Sequence, residues 1–342
     1  MEKEYVLDFA KKLLSIDSPT GYTKKAIDFV EEEANRLGYQ TKRNNKGNLW
    51  IYINGASNEK TIGLCAHCDT LGLMVRSIKA DGKLALTNLG GPIIPTLDGE
   101  YCRIYTRDQK CYTGTILSTS PAAHVYKDAS TKQRVIDEME VRIDEVTYSK
   151  EDTLKLGIQN GDIVAIDPKV QITDSGFIKS RFLDDKISAS ALMGILHHLK
   201  ENNITPAYDL IFMMSTYEEV GHGMAHIPSS ISELLAVDMG CIGLDLACTE
   251  QQVSICAKDS SGPYDYDFTS KLISLAKREN LSYAVDIYPQ YGSDVSAARS
   301  AGNDVKGALI GPGVHASHGM ERTHIDGVLN TMKLILAYIC EK

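Results

Sequence analysis

The chain has 342 residues, 43% hydrophobic and 24% charged, with a formal net charge of −9 at pH 7. That length predicts one large domain plus a smaller one, and the acidic balance without a long basic run excludes nucleic acid or an anionic membrane as the main partner. No segment reaches the ~18–20 apolar residues of a membrane span, and the charged start, Met1 to Tyr5, lacks the apolar core of a signal peptide, which predicts a cytoplasmic protein.

In chain order, Val6, Phe9, Ala10, Leu13 and Leu14 recur at helical spacing and predict a helix over residues 4–15. A second helix is expected over 23–37, with Ala26, Ile27, Val30 and Ala34 inward and Gly38 as its C-terminal cap. Residues 40–43 and 48–53 read as a hairpin. Residues 61–69 form an apolar strand ending in His67, Cys68 and Asp69. From about 71 to 170 the texture changes to short β-like runs divided by Gly, Pro, Asp and Asn, which predicts an inserted β-rich barrel or sandwich, bounded at 71–176 and serving assembly or access. The chain then alternates helix and strand: helix 187–201, strands ending at 215, 238 and 257, helix 265–280, strand 283–287, helix 293–301, strand 305–310 and helix 325–340. Residues 1–70 and 177–342 therefore predict a three-layer α/β/α domain.

The eight cysteines are scattered. Cys65-x-x-Cys68 sits in an apolar strand and has no second pair at matching spacing, so most of the cysteines read as reduced, buried small hydrophobes.

Strand ends carry the chemistry. Residues 208–215 form an apolar run that stops at Glu218 and Glu219, flanked by Gly221 and Gly223. Open α/β sheets place their sites at such carboxyl ends. Taken alone, the Glu pair could be a solvated acidic turn, and His67-x-Asp69 a core histidine beside an exposed carboxylate. Asp184 and Asp185 stand just before a helix, where one could serve only as an N-cap. What argues for a site is the recurrence: His67, Glu218/Glu219 and Asp238 end strands, Asp184/Asp185 precede a helix, and His318 follows the last strand in a Gly-rich loop. His and carboxylate donors without thiolate suit zinc, cobalt or manganese. The count of Asp184, Glu219, Asp238, His67 and His318 fits two divalent ions, with Glu218 left over as a general base. On an extended strand His67 and Asp69 point to the same side, so Asp69 is placed to take the other ring N–H of His67.

The order His-x-Asp, Asp-Asp-basic, Glu-Glu, Asp, His resembles the co-catalytic dinuclear metallopeptidases. It is most similar to the glutamyl and deblocking aminopeptidases, tetrahedral particles of which some members are labelled endoglucanases. That resemblance covers nearly the whole chain. It implies that Asp184 bridges two ions, that His67 and Asp238 complete one shell and Glu219 and His318 the other, and that Glu218 takes a proton from the bridging water while Asp69 orients His67. It also implies a peptide substrate, a dimerising insertion and a homo-oligomer of twelve subunits. The chain departs from the family pattern at Thr70, Lys186 and Ser188, and its last motif reads Val-His315-Ala-Ser-His318-Gly-Met-Glu321. His318 is preferred over His315 as ligand, and Asp245 is the reserve for Asp238. Gly292, Ser293, Asp294 and His222 are candidate pocket residues, though each has a simple reading as a turn or helix cap. The expected activity is a metal-dependent aminopeptidase. An amidohydrolase acting on N-blocked amino acids or small peptides is the alternative, and an inactive binding shell is a third reading.

Overall fold

The computed structural model describes residues 3–341, which divide into two compact units, 3–69 with 169–341, and 70–168. In the first unit, α1 (Lys3–Leu14) and α2 (Lys24–Arg36) each bury the apolar stripe read from the sequence. The hairpin of β1 (Gln40–Arg43) and β2 (Leu49–Ile53) follows, then β3 (Ser57–His67).

The second unit is a closed six-stranded barrel. Its strands are β4 (Gly72–Ile78), β5 (Leu84–Leu89), β6 (Tyr101–Tyr105), β7 (Cys111–Ser118), β8 (Met139–Ile143) and β9 (Ile163–Ile166), in the order β4-β5-β8-β7-β6-β9. Inward residues alternate along the strands, as a filled small barrel requires: Leu73, Val75, Leu84, Leu86, Ile104, Ile116, Val141 and Val164 are all buried. Its one α-helix, α3 (Lys150–Lys155), is capped by Ser149, whose hydroxyl accepts from the Asp152 N–H.

The insertion expected over 71–176 is thus shorter as a compact unit. Residues 169–176 belong to the first unit because β10 (Gln171–Ile172) pairs with β11 (Phe177–Ser180), and β11 pairs with β19 (Glu321–His324). This three-stranded sheet was not anticipated. Each strand is too short to show a period.

The first unit continues through α4 (Leu183–Glu201), β12 (Tyr208–Ser215), β13 (Ile231–Val237), β14 (Gly240–Cys241), β15 (Val253–Asp259), β16 (Gly262–Pro263), α5 (Tyr266–Arg278), β17 (Tyr283–Ile287), α6 (Asp294–Ser300), β18 (Lys306–Val314) and α7 (Ile325–Ile339). Its main sheet runs β1-β2-β12-β3-β13-β18-β15-β16, with β14 beside β18 and β17 beside β15. The central strands β12, β3, β13 and β18 are parallel. They are near-continuous apolar runs because both faces are covered. On one face lies a core built from α1, α2, α4, α5 and α7. On the other, Val295 and Ala298 of α6 pack with Trp50, Met213, Met224 and Ile227. Helix α4 is buried almost all round from Leu183 to Leu196, which explains its weak amphipathic pattern.

β18 runs four residues past its expected end. Gly311, Pro312 and Val314 look like loop in the sequence, yet Gly311 and Pro312 pair with Ser254 and Val253 of β15. The glycine is there for space: a Cβ on Gly311 would meet the Asp238 carbonyl oxygen at 1.5 Å. Among the described residues no helix is long and apolar enough to cross a membrane.

Candidate metal centre

The parallel strands set the site. His67 ends β3 and pairs in register with Ser215 of β12, so Glu218 and Glu219 follow one turn away. Asp238 comes directly after β13. Between Ser180 and Glu321, paired across β11 and β19, the chain segments carrying Asp184 and His318 are drawn together. Asp184 opens α4 with non-helical dihedrals and a cis peptide to Asp185.

The side chains converge. His67 Nε2 lies 3.0 Å from Asp184 Oδ1 and 3.7 Å from Glu218 Oε2. His318 Nε2 lies 3.5 Å from Asp184 Oδ2 and 3.8 Å from Glu219 Oε2. Two groups of donor atoms each fall within 4.8 Å of one another: His67, Glu218 and Asp238, and His67, Asp184 and Glu219. Spacing alone therefore does not separate Glu218 as a base from Glu218 as a ligand. Asp184 turns one oxygen to each histidine. His315 is exposed and meets Arg322 through its backbone, and Asp245 is exposed; neither belongs to these groups among the described residues.

The supporting contacts differ in detail from the sequence reading. His67 Nδ1 donates to the backbone carbonyl of Asp69 at 2.9 Å, whereas the Asp69 carboxylate stands 3.7 Å away. That carboxylate instead accepts the N–H groups of Glu218 and Glu219 at 3.1 and 3.3 Å and the Thr20 hydroxyl at 2.7 Å. Asp185 accepts the His67 N–H at 3.2 Å. Asp294 accepts the Ser215 hydroxyl at 2.5 Å and the Met224 N–H at 2.8 Å, holding the far end of the Glu218–Glu219 turn. Thr20, Glu321 and this role of Asp294 escaped the sequence reading. Each lies far along the chain from the group it holds, so spacing carries no signal for it.

The electrostatics call for cations. Burial, reinforced by neighbouring carboxylates, holds Asp185, Glu218 and Glu219 well above the ordinary carboxylate range. The same causes push Asp238 up to about 7 and Glu321 up to about 8. Burial pulls His67 down, but its hydrogen bond to Asp184 and the charges of Glu218, Asp184 and Asp238 outweigh it and raise its pKa well above normal. Asp184 runs the other way: burial opposes ionisation, but hydrogen bonds to His318 and His67 leave its pKa far below normal. Glu219 Oε1 is buried without a hydrogen-bond partner. A buried carboxylate with one oxygen unsatisfied and the other towards His318 fits a divalent ion.

A cavity of about 490 Å³ opens onto these groups, lined also by Ser260, Gln290, Tyr291, Ser293, Ser296 and Ser300. Tyr291 donates to the Met239 carbonyl at 3.1 Å, next to Asp238.

A His/carboxylate donor set at the ends of parallel strands is the kind of centre that metal-dependent hydrolases use, and similarity to known proteins makes this chain a peptide hydrolase of the aminopeptidase class. A family model described as M42 glutamyl aminopeptidase matches residues 47–334, and the chain belongs to that family, whose peptidases are metal-dependent. It is 46% identical over 334 residues to "Putative aminopeptidase YhfE" of Bacillus subtilis, covering 97% of this chain and 96% of that one. Among solved structures it is similar to an aminopeptidase of the archaeon Desulfurococcus kamchatkensis, with TM-score 0.88 and 22% identity, covering 100% of this chain and 96% of that one. It is also similar to the Pyrococcus horikoshii TET1 peptidase, which assembles into a tetrahedron or a large octahedral shell. There the TM-score is 0.83 at 23% identity, over 98% of this chain and 100% of that one.

Proposed function

We propose that this aminopeptidase removes the N-terminal residue of peptides with two divalent ions, zinc in the first place, cobalt or manganese as substitutes. The observation that carries the reading is Asp184, whose two oxygens face His67 and His318 at 3.0 and 3.5 Å. A carboxylate so placed suits a bridge between two ions. His67 and Asp238 would hold one ion, and Glu219 and His318 the other. Bound there, the ions would supply Lewis acidity, a water of lowered pKa and a seat for the free α-amine.

The chain's own residues do the rest. Glu218 accepts the proton of the attacking water. The water oxygen bonds to the scissile carbonyl carbon, the carbon–nitrogen bond breaks, and Glu218 returns the proton to the departing amine nitrogen. Glu218 stands 3.7 Å from His67 Nε2 and lines the cavity, in the place for a group that takes and then gives a proton there. Asp69 fixes the Glu218–Glu219 turn through its two backbone N–H groups and, through its carbonyl, the ring of His67. We further propose a cytoplasmic homo-oligomer, a dodecamer by likeness to the tetrahedral assembly above, built through the inserted barrel.

The test is hydrolysis of aminoacyl amides, free and N-blocked, after chelation and after return of Zn, Co or Mn. Activity on free amines should vanish with the metal and return with it. Activity confined to N-blocked compounds would make the enzyme a deacylase, and the absence of stoichiometric metal would refute the ligand assignment.

A further inference from the structure

Glu321 is 2% exposed, at the edge of the donor groups. Its carboxylate divides between two backbone N–H groups. Oε2 accepts from Asp184 at 3.0 Å, and Oε1 accepts from His318 at 2.8 Å. These two residues are 134 positions apart in sequence, and both sit in backbone that needs holding. Asp184 has non-helical dihedrals at the head of α4, and His318 has φ of +64°, a left-handed conformation unusual for a residue with a Cβ. The register of β11 with β19 places Glu321 opposite Ser180, three residues short of the α4 start. One side chain thus ties the segment of the residue read as the bridge to the segment of the histidine read as a ligand of the second ion only. The first ion's remaining donors, His67 and Asp238, are held elsewhere: His67 by Asp185 and the Asp69 carbonyl, and Asp238 by the Met239 N–H at 2.6 Å.

We infer that Glu321 is a positioning residue that sets the affinity of the His318-side ion, by fixing the distance between the Asp184 and His318 segments, while leaving the His67-side ion largely unaffected. The inference rests on the two-ion reading above. Glu321 itself donates no bond to metal and moves no proton in the reaction. Groups behind metal ligands cost about 10–100-fold in metal affinity when removed. The loss here should fall on one ion of the two.

The experiment is titration of the chelator-stripped full-length protein with Co²⁺ alone, followed by calorimetry and by the visible absorption of the bound ion. Wild type should take up two equivalents. Glu321→Ala should keep one equivalent at wild-type affinity and bind the second about 10–100-fold more weakly. Glu321→Gln retains one acceptor oxygen and should fall between. Far-ultraviolet circular dichroism of the metal-free variants checks that they are folded, and if the alanine variant does not fold, the glutamine variant decides. Two equivalents at unchanged affinity in a folded variant would reduce Glu321 to an ordinary structural hydrogen bond and overturn the inference, as would equal weakening of both ions. Wild type that takes up fewer than two equivalents would fail the two-ion reading itself, an outcome distinct from either.

Discussion

At the scale of residues, the site gathers buried carboxylates whose proton affinity burial raises, with Asp184 the exception. Glu218 has the clearest single test. Glu218→Gln removes the proton acceptor and keeps the shape, so kcat should fall about 10²–10⁴-fold while two equivalents of metal remain bound. Full activity with metals in place would remove Glu218 from the reaction. The titrations give a second prediction. In the metal-free protein His67 has a raised pKa, so its contribution to stability is complete below the ordinary histidine value of ~6.5 and is lost as pH rises through its folded value. Asp238 titrates near 7 in the folded state against ~3.9 unfolded. The folded state therefore binds more protons in that window, and stability falls as pH rises through it. Asp184, with its depressed pKa, acts only below that window. The melting temperature of chelator-treated protein should thus fall between about pH 5 and pH 8, and bound metal, which displaces these protons, should abolish or reverse the slope. Scanning calorimetry across that range decides it; a metal-free midpoint that rises with pH contradicts the assignment.

At the scale of elements, what the sequence disclosed follows from where periodicity is strong. Helices α1, α2, α5 and α7 each have one buried face and appear within one or two residues of expectation. Strand ends bearing His67, Glu218, Glu219 and Asp238 were legible because an apolar run stops abruptly at a polar group. Three things were not legible. The β10-β11-β19 sheet has strands of two to four residues. The extension of β18 hides behind Gly311-Pro312-Gly313. The Asp69, Asp294 and Glu321 clamps act on backbone N–H groups, which carry no residue-type signal. Gly311 makes the second point testable. With a Cβ directed 1.5 Å from the Asp238 oxygen, Gly311→Ala must move β18 or the Asp238 turn. It should cost about 1–3 kcal/mol, the usual penalty of overpacking, and weaken metal binding as Asp238 shifts. Urea unfolding and metal titration of the variant read both; a variant with unchanged stability would mean that the turn yields freely.

At the scale of the whole molecule, the barrel unit carries more than half of the large exposed apolar side chains. Val146 and Tyr148 are 81% and 77% exposed there, with Tyr101 and Val125 at 67% and 73%. Where such side chains adjoin, as Val146 and Tyr148 do along the chain, the surface they make is a candidate interaction site. The protein should run as an oligomer in light scattering, and the double change Val146→Glu with Tyr148→Glu should lower its mass while circular dichroism stays unchanged. A wild-type monomer would refute the assembly, and a variant of undiminished mass would place it on another surface.

The spread of the donor groups along the chain bears on how the protein comes into being. From His67 to His318 the site spans nearly three-quarters of the sequence, and its strands pair in parallel across long separations. Pairings of that kind have high contact order and form late, since long loops must close first. A chain still emerging from the ribosome, or one clipped before β18, lacks His318 and the Glu321 clamp and cannot complete the centre. On the proposed two-ion reading, uptake of the second ion would be a mark of finished biosynthesis, and a chain that stops short of β18 would be silent towards its neighbours.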